Sequence, residues 1–178
     1  MVQAGKNIPY YLAAVGIFIL LKFAFTLADN SDLIFLLKPI NEFVSLLTSS
    51  DSVYLSDSGY YHHKLNILID KSCAGFNFWV LCFLVFTYLA LRYDNKHISK
   101  ILTLPLALIG AYLITIFVNT SRIFVSIFIN AQTPNFLLDQ QSIIHETIGV
   151  INNFSFLILA YLLIEKFLIH NRRNAKFA

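Results

Sequence analysis

A chain of 178 residues that is 57% hydrophobic, 15% aromatic and 13% charged, with mean hydropathy +0.67, is short of the about 25% charge that soluble domains carry. That composition excludes a disordered chain and an ordinary water-soluble enzyme. A scattered net charge of +3 excludes a nucleic-acid footprint, and two cysteines exclude a disulfide scaffold. An integral membrane protein remains, in which the few polar residues carry the functional information.

The first apolar segment, Pro9–Ala28, is interrupted only by Lys22, whose stem can snorkel to an interface. A bilayer core takes about 20 helical residues, so this segment is long enough to span. Met1–Lys6 shows no cleavage-site pattern, and the helix is expected to be retained. Leu33–Leu47 is shorter and holds Lys38, Pro39, Asn41 and Glu42 at its middle. Pro39 interrupts a continuous helix and mid-bilayer charges are costly, so two short interfacial helices are expected here.

Ser49–Ser72 is the longest polar stretch. Val53–Leu55, the turn Ser56-Asp57-Ser58-Gly59 and Tyr60–Ile69 read as strand, turn and strand, a small extracytoplasmic hairpin. Ala74–Leu91, Ile101–Val118 and Thr147–Ile164 are the remaining spans. The expected fold class is thus all-α, a multipass transmembrane helix bundle of about four spans with interfacial helices and that hairpin. It forms a single integral membrane domain over 1–178. Basic residues flank the spans unevenly. With both termini cytoplasmic, the inner side holds Lys6, Arg92, Lys96, Lys100, Lys166, Arg172, Arg173 and Lys176, against Lys38, Lys64, Lys71 and Arg122 outside.

On that topology three reactive side chains fall at one depth. Cys73 precedes the second span, Arg122 follows the third by about 6 Å if its helix continues, and His145 opens the fourth. A thiol at a helix N-terminus is activated by the backbone dipoles, and Asp70 and Ser72 are possible caps for it. Gly75 allows a close approach by another helix. His145 suits general acid–base work or an ion pair with the thiolate. Arg122 keeps its proton and suits an oxyanion or a peptide carbonyl. His145, Gly149 and Asn152 share one helix face, and Asn119 and Asn77 each lie one turn from a member of the trio.

Blander roles compete. Cys82, mid-span, reads as a packing residue, an arginine at a helix end commonly anchors a head-group, and a lone interfacial histidine is commonly aromatic-belt material. Membrane asparagines most often join helices by hydrogen bonds. His62-His63 with Asp57 or Asp70 has no metal-ligand spacing, and no metal or other cofactor is expected.

Ser72-Cys73-Ala74-Gly75-Phe76-Asn77-Phe78-Trp79, Asn119-Thr120-Ser121-Arg122 and His145-Glu146-Thr147-Ile148-Gly149 together resemble the exosortase/archaeosortase family, most nearly its exosortase K branch. The likeness covers about Asp70–Glu165, the expected catalytic core. It implies a prokaryotic multipass membrane transpeptidase or protease acting outside the cytoplasmic membrane. Its partner would be an exported protein with a C-terminal sorting tail: a short motif such as Pro-Glu-Pro, a transmembrane helix and a basic cluster. The family's nucleophile, arginine and histidine would map to Cys73, Arg122 and His145. Larger members of the family have additional N-terminal spans, a pattern from which this sequence departs. The competing reading is a non-catalytic small membrane assembly or permease subunit, which would place polar residues across mid-bilayer rather than at one face.

Overall fold

The protein is described by a computed structural model covering residues 2–93, 97–132 and 141–177, with side chains described outside 2–6, 97–99, 130–132, 141–146 and 171–177. In chain order it has α1 (Val2–Leu27), α2 (Ile34–Thr48), β1 (Val53–Leu55), β2 (Gly59–His62), β3 (Ile67–Ile69), a 3-10 turn (Lys71–Cys73), α3 (Phe76–Tyr93), α4 (His97–Gln132) and α5 (Gln141–Phe177). The chain is mostly helical, and the three short strands make all-α an approximation. Four helical stretches are long and apolar enough to cross a membrane: Asn7–Leu27, Lys71–Tyr93, Lys100–Ile129 and Thr147–His170. Each of the four expected spans coincides with one of these stretches: the first is shifted by one or two residues, the second gains two or three at each end, and the third and fourth run on past Val118 and Ile164 to Ile129 and His170.

The chain divides into two compact units. One comprises Met1–Thr26, Asn77–Ile114 and Leu157–Ala178. Its buried side chains include Val80, Phe83 and Leu89 of α3 and Ala111 of α4. Specific polar contacts link its helices. The Asn7 amide donates to the Leu91 carbonyl at 2.8 Å and its oxygen accepts from Lys100 at 2.7 Å, both side chains being buried. Trp79 donates from its indole to the Leu108 carbonyl at 3.1 Å. Such bonds satisfy polar groups that lipid could not.

The other unit comprises Leu27–Phe76 and Thr115–Phe156 and holds the sheet. Here α2 departs from the sequence expectation: it is one 15-residue helix with Pro39 inside it, not two short pieces. Proline there removes only one intrahelical bond. A single amphipathic face, Leu36, Leu37, Ile40, Asn41 and Val44, is buried along the whole length and outweighs that loss. Lys38 and Glu42 are exposed one turn apart, 4.0 Å from each other, so neither charge is buried.

The polar stretch forms a three-stranded antiparallel sheet ordered β1-β2-β3 rather than a two-stranded hairpin. Val53 pairs Tyr61 and Leu55 pairs Gly59, while Tyr60 pairs Ile69 and His62 pairs Ile67. The expected second strand, Tyr60–Ile69, folds back on itself at residues 63–66, where Asn66 takes φ 51° and accepts from the Tyr61 hydroxyl. Gly59 has φ 106°, and a Cβ there would collide with the Ile69 carbonyl, so the sheet needs glycine at this position. Behind the sheet, His62 is fully buried between Asn41 of α2, at 2.9 Å from Nε2, and Ser50, at 3.3 Å from Nδ1.

Candidate functional site

Cys73, Arg122, His145, Asn119 and Asn152 all belong to the sheet-bearing unit. Cys73 ends the 3-10 turn, with its N–H bonded to the Asp70 carbonyl at 2.8 Å. Asp70 caps that turn by accepting from the Ser72 N–H at 2.9 Å and from its hydroxyl at 2.6 Å. The thiol therefore lies three residues ahead of α3 instead of directly at its N-terminus, and Ser72 is held by the cap rather than acting as one. Gly75, at φ 67°, makes the break between turn and helix. That left-handed backbone brings the chain against α4: a Cβ on Gly75 would stand 3.0 Å from Asn119 Cγ. The close approach expected at Gly75 is present, and Asn119 is what approaches.

Asn119 is buried, and its side-chain amide donates to the main-chain carbonyl of Cys73. Its Oδ1 has no hydrogen-bond partner among the described residues. The Cys73 sulfur is 3.8 Å from the Ser72 hydroxyl and 4.0 Å from the Leu68 carbonyl. It opens on a cavity of about 240 Å³ lined by Ile67, Leu68 and Ile69 of β3, Asp70, Ser72 and Cys73 of the turn, and Ile123, Ser126 and Ile127 of α4. The lining is mostly isoleucine and leucine with a polar rim at the thiol. An uncharged, extended substrate segment would fit such a surface better than a charged metabolite.

Arg122 falls inside the candidate span Lys100–Ile129 rather than beyond its end. The helix α4 continues ten residues past it, and the apolar stretch runs to Ile129. Arg122 is half-buried, and its Nε is buried with no hydrogen-bond partner among the described residues. A head-group anchor would sit at a helix end with its donors in the interface. A guanidinium with a buried donor unpartnered among the described residues, within a helix apolar enough to span, is the costlier arrangement, and an arginine placed that way in a membrane is a functional candidate by default.

The helix α5 passes α4 with a readable register. Gly149 leaves room for Arg122, since a Cβ there would sit 3.4 Å from Arg122 Cδ and Nη1. Three residues on, the Asn152 amide donates to the Val118 carbonyl at 3.1 Å, one α4 turn before Arg122. Rings of Phe156 and Phe117 meet edge to face with centroids 5.7 Å apart. The two helices are thus antiparallel neighbours. One turn before Gly149 on the same face of α5 is His145, and one turn after Arg122 on α4 is Ser126, which lines the Cys73 cavity. Register continuity sets position 145 level with that cavity; the His145 side chain lies outside the described residues.

Asn77 takes a different place. It belongs to the other unit, where its Oδ1 accepts from Lys22 at 2.6 Å. Lys22, read from sequence as a snorkelling residue, has this specific partner, and no local pattern in either segment announces a contact across 55 positions. Likewise the role of His62 as a buried strut was not legible, because Asn41 and Ser50 are distant in sequence. Burial lowers the His62 pKa below the ordinary histidine value, and a hydrogen bond with the Ser50 backbone partly opposes the shift. Cys82 is fully buried in α3, in keeping with a packing residue.

Comparison with protein-family models, curated proteins and solved structures finds no match to this chain.

Proposed function

We propose that this membrane protein is a cysteine transpeptidase or protease of the exosortase type, acting at the outer face of a prokaryotic cytoplasmic membrane with both termini inside. One observation carries the reading: Cys73 lines a cavity whose α4 wall includes Ser126, one helical turn after Arg122 with its buried unpartnered Nε, and Gly149, one turn after position 145 on α5, abuts Arg122, all within a single unit. The substrate is an exported protein whose C-terminal tail ends in a transmembrane helix and a basic cluster. That helix lies in the bilayer and presents the peptide bond before it to the cavity.

In the first half-reaction the Cys73 thiolate adds to the scissile carbonyl. The Arg122 guanidinium faces the developing oxyanion in a poorly solvated setting, where its charge acts more strongly than in water. His145 gives its proton to the leaving amine as the tetrahedral intermediate collapses, and the product is a thioester on Cys73. Water then releases an acid, or an amine or hydroxyl acceptor takes the acyl group; either restores the thiol. Asn119 supports the attack indirectly by fixing the Cys73 main chain.

The test is co-expression with an exported reporter carrying a Pro-Glu-Pro motif, a transmembrane helix and an Arg/Lys cluster. Wild type is expected to shorten the reporter, Cys73→Ala to abolish shortening and Cys82→Ala to leave it nearly intact. Equal shortening by Cys73→Ala and wild type removes the nucleophile assignment. Impermeant maleimide applied to intact cells is expected to label Cys73 from outside.

A further inference from the structure

We propose that the polypeptide acted on at Cys73 binds as a fourth strand on the open edge of β3, with the N–H and C=O of Leu68 as its main-chain partners; this rests on the peptidase reading above. The strand order leaves β3 at an edge of the sheet, paired only with β2 among the described residues. Backbone groups of successive residues in a strand point to opposite edges. The Ile69 carbonyl points at Gly59 of β2, since a Cβ on Gly59 would strike it. Leu68 must therefore turn its amide and carbonyl the other way, and its carbonyl is indeed the group that lies 4.0 Å from the Cys73 sulfur. No described residue takes the Leu68 N–H.

The open edge and the nucleophile thus border one cavity, whose α4 wall is Ile123, Ser126 and Ile127. A peptide laid along the edge gains one donor and one acceptor from Leu68 whatever its sequence. Side chains alternate along it, so one would enter the isoleucine-lined space and the next would face outward. Strand addition requires an extended, unfolded segment. A short linker between a folded exported domain and its tail helix has that property, whereas a peptide bond inside a helix has its amide and carbonyl already occupied. Specificity would then come from the chain's extended state and one apolar side chain.

The test uses purified full-length protein in detergent and two alkylating probes: iodoacetamide, which needs only thiol access, and acetyl-Ala-Val-Ala chloromethyl ketone. In the second, the Cys73 sulfur displaces chloride from the methylene carbon, forming a thioether and releasing chloride. Leu68→Pro deletes the edge N–H without touching a β2 bond, and Leu68→Ala keeps the main chain while removing a side chain that is 41% exposed. Leu68→Pro is expected to slow the peptidyl reagent about tenfold, as loss of a hydrogen bond predicts, with the iodoacetamide rate held within about threefold. A probe N-methylated at its valine should lose the advantage on wild type, and Leu68→Ala, which keeps the edge N–H, should still distinguish the two peptidyl probes, whereas Leu68→Pro should not. If iodoacetamide labels Cys73 but the peptidyl probe shows no dependence on Leu68→Pro or N-methylation, strand addition is overturned while the nucleophile survives. If Leu68→Pro slows both probes equally, a structural role for the residue replaces the proposal. If neither probe reaches Cys73, both readings fall together.

Discussion

The side-chain amide of Asn119 donates to the main-chain carbonyl of Cys73, joining α4 to the turn that carries the thiol. Both groups are buried, and the carbonyl has no water to turn to if the amide is lost. Asn119→Ala is expected to cost about 1–3 kcal/mol of stability, the usual range for an orphaned buried polar group. Thermal unfolding in detergent measures that loss. Reporter processing should fall further than the stability loss explains, because the sulfur is no longer held at the cavity. A variant with lowered stability but wild-type processing per folded molecule would show that Asn119 only joins elements.

Gly75 offers a second route to the same contact. At φ 67° an alanine takes a left-handed conformation that costs about 1–2 kcal/mol, and its Cβ would press on Asn119 at 3.0 Å. Gly75→Ala should therefore reduce both stability and processing. Gly16→Ala is the matched control, since among the described residues nothing lies within 4 Å of a Cβ there and α1 gains helix propensity. Comparable losses in the two variants would mean that bulk, not this contact, is being read.

Which of these features the sequence announces follows a physical division. Hydropathy runs reveal the spans because lipid demands uninterrupted apolar residues, and all four stretches are found, although the third and fourth run on past their expected C-terminal bounds. Local spacing reveals that Gly149 and Asn152 share a face, and both do turn to α4. Pro39 misleads because a helix breaker is a local signal, whereas the buried stripe from Leu36 to Val44 that overrides it is read only over the full length of α2. The third strand is missed because residues 63–66 lack a glycine or proline, and the turn is made by Asn66 at positive φ. Cys73, expected at the N-terminus of the long helix, is set back from it for a related reason: Gly75 separates a 3-10 turn from α3, a break that composition does not reveal. Asn77 points to Lys22, a pairing that only the packing of α1 against α3 defines.

The Gly149 contact predicts a graded steric series on Arg122. An alanine Cβ at 3.4 Å is ordinary van der Waals contact, so Gly149→Ala should process the reporter within about threefold of wild type. Gly149→Val adds methyl groups where the guanidinium and Cδ lie and must displace them or separate the helices. Overpacking of this kind costs about 1–3 kcal/mol, enough for a processing loss of about tenfold or more. Arg122→Lys, which retains charge but loses the planar fork, should be impaired to a similar degree. Full activity in Arg122→Lys would reduce the residue's contribution to its charge alone.

His62 predicts a pH dependence that belongs to the sheet rather than to the chemistry. The Asn41 carboxamide oxygen, as assigned, accepts from Nε2–H, which leaves Nδ1 to accept from the Ser50 hydroxyl in the neutral ring. Burial holds the folded-state pKa below the unfolded value, so the unfolded chain binds the extra proton first as pH falls. The stabilisation is complete above the unfolded pKa of about 6.5 and is lost as pH falls through the folded value. The unfolding midpoint of wild type should therefore drop between pH 7.5 and pH 5. His62→Gln, which cannot titrate, should start lower, by about 1–3 kcal/mol for a broken buried bond, and should show a shallower slope over the same interval. Subtracting the two profiles removes the contribution of the carboxylates, which titrate in both. If the difference between wild type and His62→Gln stays constant from pH 7.5 to pH 5, the ring is not buried as the neutral form, and α2 is held to the sheet by its apolar stripe alone.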